Sequence, residues 1–306
     1  MIKIKRLGLV FDPNILPIAQ RKSICNPCLI KTPKWIKKKL GKYYLYFADH
    51  RGKFIKLLYS DHLDRGWKYL DKKILHLKSK PKLDAYNHIA SPEIYVNKKE
   101  KQIYIFTHSH SRSKIGQWTY LSNSKDGINF SKKFNKPLAP FYLRFFYHKK
   151  YYYGIVKGAD LWRSRNINIK FQQCQNLLTR KKSKTNLHNK NGSIRHLGIL
   201  KKKNYLHCVF SKIGDKPERI YYTKIHLSKN YLNWKFQKIK EILRPTFPYE
   251  GSKLKLKKSK AGDAPRGENA LRDPYLFVDG KKTYLIYCVK GEKNFALCEI
   301  DQKTIK

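Results

Sequence analysis

Three carboxylates stand where strands or tight loops should begin: Glu93 in Ser91-Pro92-Glu93, Glu250 in Tyr249-Glu250-Gly251 and Asp273 in Arg272-Asp273-Pro274. Cleavage of a glycosidic bond needs two carboxyl groups in unlike environments, one protonated as acid and one ionised as base or nucleophile. Asp273 is the best placed, at the mouth of a strand beside a neighbour of opposite charge. Arg144, Arg195, Arg219 and Arg272 add planar forks suited to carboxylate or phosphate, so the expected ligand is a sugar bearing negative charge, such as a uronic glycan. The alternative is that Arg219 pairs with Asp215 or Glu218, and Arg272 with Asp273. His50, His88 and His196 are further pocket candidates. His108-x-His110 has the form of a metal pair, although on a strand this spacing often occurs without metal.

The elements that must position these residues are strands. Tyr43-Tyr44-Leu45-Tyr46-Phe47 and Tyr151-Tyr152-Tyr153 are poor helix formers, and Asp279-Gly280 between two apolar runs is a hairpin signal. Five segments share one plan of short strands and turns, roughly 26–70, 88–130, 142–178, 195–236 and 250–300, with Trp or Phe closing several. Loose repetition of such units predicts an all-β fold, a single five-bladed β-propeller over 1–306 with about four antiparallel strands per blade and the N-terminal segment helping closure. A generic β-sandwich is the competing architecture. In a propeller the first strand of each blade lines the channel, so Asn26, Glu93, Arg144, His196 and Asp273 should converge at one end. Arg180 to Ser193 is expected to be a mobile basic loop, and Pro33 to Lys38 at most one helical turn.

The 306 residues carry a net charge of +47, with 68 basic against 21 acidic side chains. The lysines are spread over nearly every turn rather than gathered on one face, which reads as a solvated surface and argues against nucleic acid as the partner. Cys25 and Cys28 form one Cys-x-x-Cys without a second pair, and Cys28 continues into an apolar run, so core thiols are expected. No apolar run reaches signal-peptide or membrane-span length, giving a cytoplasmic protein with no membrane partner as the expectation. Gly262 to Gly267 has P-loop glycine spacing, but Glu268 replaces the phosphate-binding lysine. No Gly-x-Ser-x-Gly elbow or His-Glu-x-x-His is present.

Asn26-Pro27, Tyr43 to His50, His88 to Glu93, Gly214-Asp215-x-Pro217-Glu218-Arg219-Ile220 and Leu271-Arg272-Asp273-Pro274 together resemble the five-bladed propellers of the glycoside hydrolase family 43 and invertase-like (furanosidase) superfamily, and more closely an uncharacterised bacterial group within it. The resemblance implies a hydrolase scaffold of carbohydrate metabolism, with Glu250 as proton donor, Asp273 as base or charge stabiliser and Glu93 as orienter. It also implies a carbohydrate ligand held in an axial pocket by Asn26, His50, His88, Arg144, Arg195, His196, Arg219 and Arg272. Asn26 stands where the family has its base and cannot take a proton from water, so Asp273 or Asp49 would have to. This departure favours the alternative of a non-catalytic carbohydrate-binding propeller. A third reading, anion or nucleic-acid binding by the basic surface, rests on charge alone. No cofactor and no catalytic metal are implied, a structural divalent cation in the channel being left open.

Overall fold

The computed structural model describes residues 2–77, 84–131, 136–182, 192–264 and 266–305, so most of the stretch expected as a mobile loop, 180–193, lies outside the described residues. The fold is a five-bladed β-propeller built from five antiparallel sheets, with no α-helix among the described residues. Accordingly no helix is long and apolar enough to cross a membrane. Pro33 to Ile36 closes a single hydrogen-bonded turn.

After β1 (Ile4–Leu9), the first sheet takes β2 (Cys25–Lys31), β3 (Tyr43–Ala48), β4 (Phe54–Ser60) and β5 (Lys68–Tyr69), with β6 (Leu75–His76) also paired to β4. The second comprises β7 (Ala85–Asn97), β8 (Gln102–Ser111), β9 (Gln117–Ser124) and β10 (Ala139–Pro140). The third comprises β11 (Arg144–His148), β12 (Tyr151–Ile155), β13 (Asp160–Ser164) and β14 (Gln172–Asn176), and the fourth β15 (Ile194–Lys202), β16 (Tyr205–Lys212), β17 (Ile220–His226) and β18 (Lys240–Leu243). The fifth has β19 (Arg272–Asp279), β20 (Lys282–Val289) and β21 (Asn294–Ile300), and β1 pairs with β21 as its fourth strand. Its first strand thus begins at Arg272, while Glu250 belongs to a preceding 3-10 turn.

Local chemistry explains these strands. β3 is buried at every position, which only a continuous apolar run permits. At the β19–β20 hairpin Asp279 is still paired, with Lys282, and Gly280 takes the first loop position at φ 58°. The tight loop is therefore Gly280-Lys281, one residue later than the Asp-Gly signal predicts. Trp67 and Trp234 close the first and fourth sheets as buried side chains, each indole N–H donating to a carbonyl, of Leu63 and Ser228 respectively. All six cysteines are buried and free, in keeping with core thiols.

Two compact units are defined: Met1–Cys25, Lys157–Asp160 and Cys174–Lys306 in one, Asn26–Val156 and Leu161–Gln173 in the other. The first has a core that includes Val209, Ile220, Leu271, Leu285 and Tyr287. The second has one that includes Phe106, Leu138, Phe145 and Phe171.

Within the first unit, β15 lies so close to β19 that a Cβ on Gly198 would stand 2.5 Å from the Pro274 carbonyl oxygen and 2.9 Å from the Tyr275 Cα. Both are backbone atoms that cannot rotate aside. Gly198→Ala is expected to destabilise the protein by about 1–3 kcal/mol through overpacking, read as a lower urea midpoint at unchanged slope. An unchanged midpoint would show that the two strands can separate without loss.

Candidate functional site

The first unit separates Arg272 from Asp273. β19 bulges between Arg272 and Tyr275, and Asp273 adopts φ 48°, in the left-handed region that a non-glycine residue enters at some cost. Arg272 turns to Glu218 (2.9 Å), Glu268 (2.5 Å) and Glu292 (3.4 Å). Burial alone would lower its pKa, but these carboxylates raise it overall. Asp273 pairs instead with His196 Nδ1 and accepts from the Cys288 thiol at 3.3 Å. The expected Arg272–Asp273 ion pair is therefore replaced by two separate partnerships.

β15 repeats the device, with a bulge between Ile194 and Leu197 that sends Arg195 and His196 different ways. Arg195 donates to Glu218 at 2.8 Å and also meets the carbonyls of Lys260 and Gly262, while His196 meets Asp273. Burial pushes the His196 imidazole pKa down, with Asp273 pulling the other way. Lys157 is pushed down to about 8 by burial and by Arg195, against Glu218.

Glu250 is fully buried. One of its oxygens accepts from Arg6 (2.9 Å) and the Tyr287 hydroxyl (2.8 Å), and the other from Thr246 N (2.8 Å), Thr246 Oγ1 (3.3 Å) and Phe247 N (3.2 Å). Every contact on it is a donor, and no surface is left for a leaving-group oxygen. Arg219 pairs with Glu241 (3.1 Å) and stands 3.8 Å from Asp215.

In the second unit, Glu93 on β7 is buried and receives Arg144 at 2.9 Å and the Phe145 backbone N–H at 3.2 Å. Burial raises its pKa, and Arg144 opposes the rise. Asp49 is held by the buried Lys56 at 2.5 Å. The four arginines expected to clamp an anionic sugar are thus all engaged by carboxylates of the protein itself.

The same unit contains a cavity of about 210 Å³. Asn26 on β2 and Asn87 and His88 on β7 line it, with His50 and Arg51 from the β3–β4 turn. His108 and His110 on β8, Gln117 on β9 and Tyr142 ahead of β11 complete most of the wall, with Ala90. None of these residues is acidic. Strand alternation puts His108 and His110 on one face, where their rings lie 5.3 and 5.2 Å from that of His88. Nevertheless, among the described residues no group of three or more His, Cys, Asp or Glu is arranged to hold a metal ion. His88 is held down at about 4 by burial and by the positive influence of His110, His50 and Lys53.

Of the residues expected from sequence, the cavity brings together Asn26, His50 and His88; Arg195 and Arg272 meet on Glu218, His196 meets Asp273, and Arg144 meets Glu93. Arg51, Asn87, Gln117 and Tyr142 were not expected. Asn26, Arg51, Asn87 and Tyr142 all have positive φ, between 57° and 75°. Asn tolerates this region, but nothing in the sequence marks Arg51 or Tyr142 for it.

The five-bladed architecture is similar to that of solved glycoside hydrolases, family 43 among them. It resembles a thermostable family-43 glycoside hydrolase (16% identity, 91% of this chain and 89% of that one, TM-score 0.58). It likewise resembles an endo-1,4-beta-xylanase from Bacteroides thetaiotaomicron (14% identity, 96% and 91%, TM-score 0.58) and an alpha-L-arabinofuranosidase from Lactobacillus brevis (12% identity, 91% and 91%, TM-score 0.58). At these identities the likeness concerns the fold. The chain belongs to the family of the uncharacterized protein R118 of Acanthamoeba polyphaga mimivirus, to which it is 34% identical over 95% of its own length and 85% of the relative's. No family model matches it.

Two outcomes are expected. Glu218→Gln weakens the hold on two buried guanidiniums and should cost about 3–5 kcal/mol in chemical denaturation, as breaking a buried pair does; a loss below about 1 kcal/mol would show that Glu268 and Glu292 suffice. His88 has a folded pKa below its unfolded value, so its neutral form favours folding above about pH 6.5 and that contribution is lost as pH falls towards 4. The loss should reach up to about 3 kcal/mol and be smaller in His88→Gln, as read from thermal melts over that range. Parallel melting curves for the two proteins would contradict it.

Proposed function

We propose that the chain is a carbohydrate-binding propeller on a glycosidase scaffold, which holds its sugar in the histidine-lined cavity and does not cleave it by the two-carboxylate route. The observation that carries this reading is the lining: imidazoles, amides, one guanidinium and one phenol, without a carboxyl group. Such a wall can exchange hydrogen bonds with several sugar hydroxyls, as a site that fixes orientation must. It lacks the two carboxyl groups, one protonated and one ionised, on which that route depends.

The competing hydrolytic reading assigns Glu250 as donor, Asp273 as base or charge stabiliser and Glu93 as orienter. Against it stand the burial of all three and their engagement by Arg6, His196 and Arg144. Asn26, where the family has its base, lines the cavity and brings an amide rather than a proton acceptor. The free thiols suit a reducing compartment, so we place the protein in the cytoplasm.

The test sets calorimetric binding beside turnover for one panel of pentose and hexose oligosaccharides and aryl furanosides. Binding without release of new reducing ends or aryl alcohol is expected in the wild type, and Asn26→Ala should weaken it about tenfold. Turnover in the wild type that disappears in folded Asp273→Asn and Glu250→Gln would establish the hydrolase instead.

A further inference from the structure

We infer that the sugar taken by this cavity is anionic, carrying a carboxylate or phosphate group that Arg51 and the surrounding imidazoles receive. The inference rests on the carbohydrate-binding reading and adds the charge of the ligand. Its first support is the state of Arg51. Arg144, Arg195, Arg219 and Arg272 are each committed to one or more carboxylates of the chain. Arg51 is exposed on the cavity wall, and no ion pair or hydrogen bond ties its side chain to any described residue. A guanidinium left open beside a concave polar site is a receptor for a planar or tetrahedral oxyanion.

The second support is the absence of competition. The nearest acids along the chain are each engaged: Asp49 on the β3–β4 turn by Lys56, Glu93 on β7 by Arg144, and Asp84 just ahead of β7 by the hydroxyls of Ser111 and Tyr120 and the Ser113 N–H. The charged and titratable groups acting on His88 are His50 and Lys53 from the β3–β4 turn and His110 from β8, with the His108 ring packed against it. All of these are bases, and they add to burial, the largest influence, in holding His88 neutral. A bound anion reverses that balance and favours the imidazolium, so affinity should rise as pH falls.

The third support distinguishes a sugar from a bare anion. Gln117 contributes a buried amide oxygen without a hydrogen-bond partner among the described residues. A deprotonated carboxylate or phosphoryl oxygen has no proton to give that acceptor, whereas every sugar hydroxyl has one. The wall therefore asks for a donor at Gln117 and a negative charge towards Arg51, two demands that one acidic sugar meets together.

The experiment titrates the protein by calorimetry with glucose, glucuronate, glucose 6-phosphate and inorganic phosphate, at about pH 5 and about pH 8, where imidazole charge differs most. At least one charged sugar should bind about tenfold or more tightly than glucose, and for glucuronate, whose charge is the same at both pH values, any such gap should widen at the lower pH. Whether glucuronate or glucose 6-phosphate leads decides between carboxylate and phosphate. Arg51→Ala should weaken the charged sugar about tenfold more than it weakens glucose, so that the preference disappears, and His88→Gln should flatten its pH dependence. Glucose binding as tightly as both charged sugars at both pH values overturns the anionic ligand and leaves the carbohydrate reading standing. Inorganic phosphate matching glucose 6-phosphate overturns the sugar requirement, and no binding by any of the three sugars overturns both readings.

Discussion

The carboxylate of Glu218 is the constraint on which much of the first unit depends. It has no exposed surface, and it accepts from Arg195 at 2.8 Å, Arg272 at 2.9 Å and the Ser211 hydroxyl at 2.8 Å. Its backbone forms a parallel bridge with Ala270, and its carbonyl receives the Leu271 N–H at 3.0 Å. Buried ions are tolerated only when each is well paired, and two guanidiniums on one carboxylate would leave an excess of positive charge. Glu268 and Glu292 on Arg272 supply the remainder. Because Arg195 precedes His196 and Arg272 precedes Asp273, seating both guanidiniums on Glu218 delivers the imidazole and the carboxylate to each other. The His196–Asp273 pair is in this sense a consequence of Glu218.

Scarcity of acid has a second consequence. With 21 acidic residues against 68 basic, four of the few carboxylates are drawn inward beside arginine: Glu93, Glu218, Glu250 and Glu292 are all buried. The cavity of the second unit is left without any acid on its wall. The carboxyls thus sit in the framework and the bases line the cavity. Burial and pairing, rather than residue type, decide which role a carboxylate takes.

Strand rhythm, aromatic runs and turn residues made the five sheets legible, because each depends on local chemistry that repeats along the chain. Local signals also singled out Asn26, Glu93, Arg195-His196 and Arg272-Asp273, which the structure places on the cavity wall or in buried ion pairs. What they could not convey was direction. Bulges at the starts of β7, β15 and β19 break strict alternation at these residues, so neighbours in sequence part company in space. The reading of Arg272 as counter-ion to Asp273 failed for that reason. Glu250-Gly251 looked like an acid at a loop, but its partners Arg6 and Tyr287 come from β1 and β20, far away in sequence.

Asn26 joins these threads. Its φ of 57° lies where Asn and Asp are the least disfavoured side-chain-bearing residues, so the backbone at this strand entrance accepts either. Conformation therefore does not decide between an amide and a carboxylate at this position; the surroundings do. An ionised Asp here would join four imidazoles and the open Arg51, and would compete with any anion for them. The amide keeps the position's geometry and hydrogen-bonding reach while leaving the positive field of the cavity unopposed. On the reading proposed above, the amide that cannot act as a hydrolytic base is also the group that leaves the cavity suited to a negatively charged ligand.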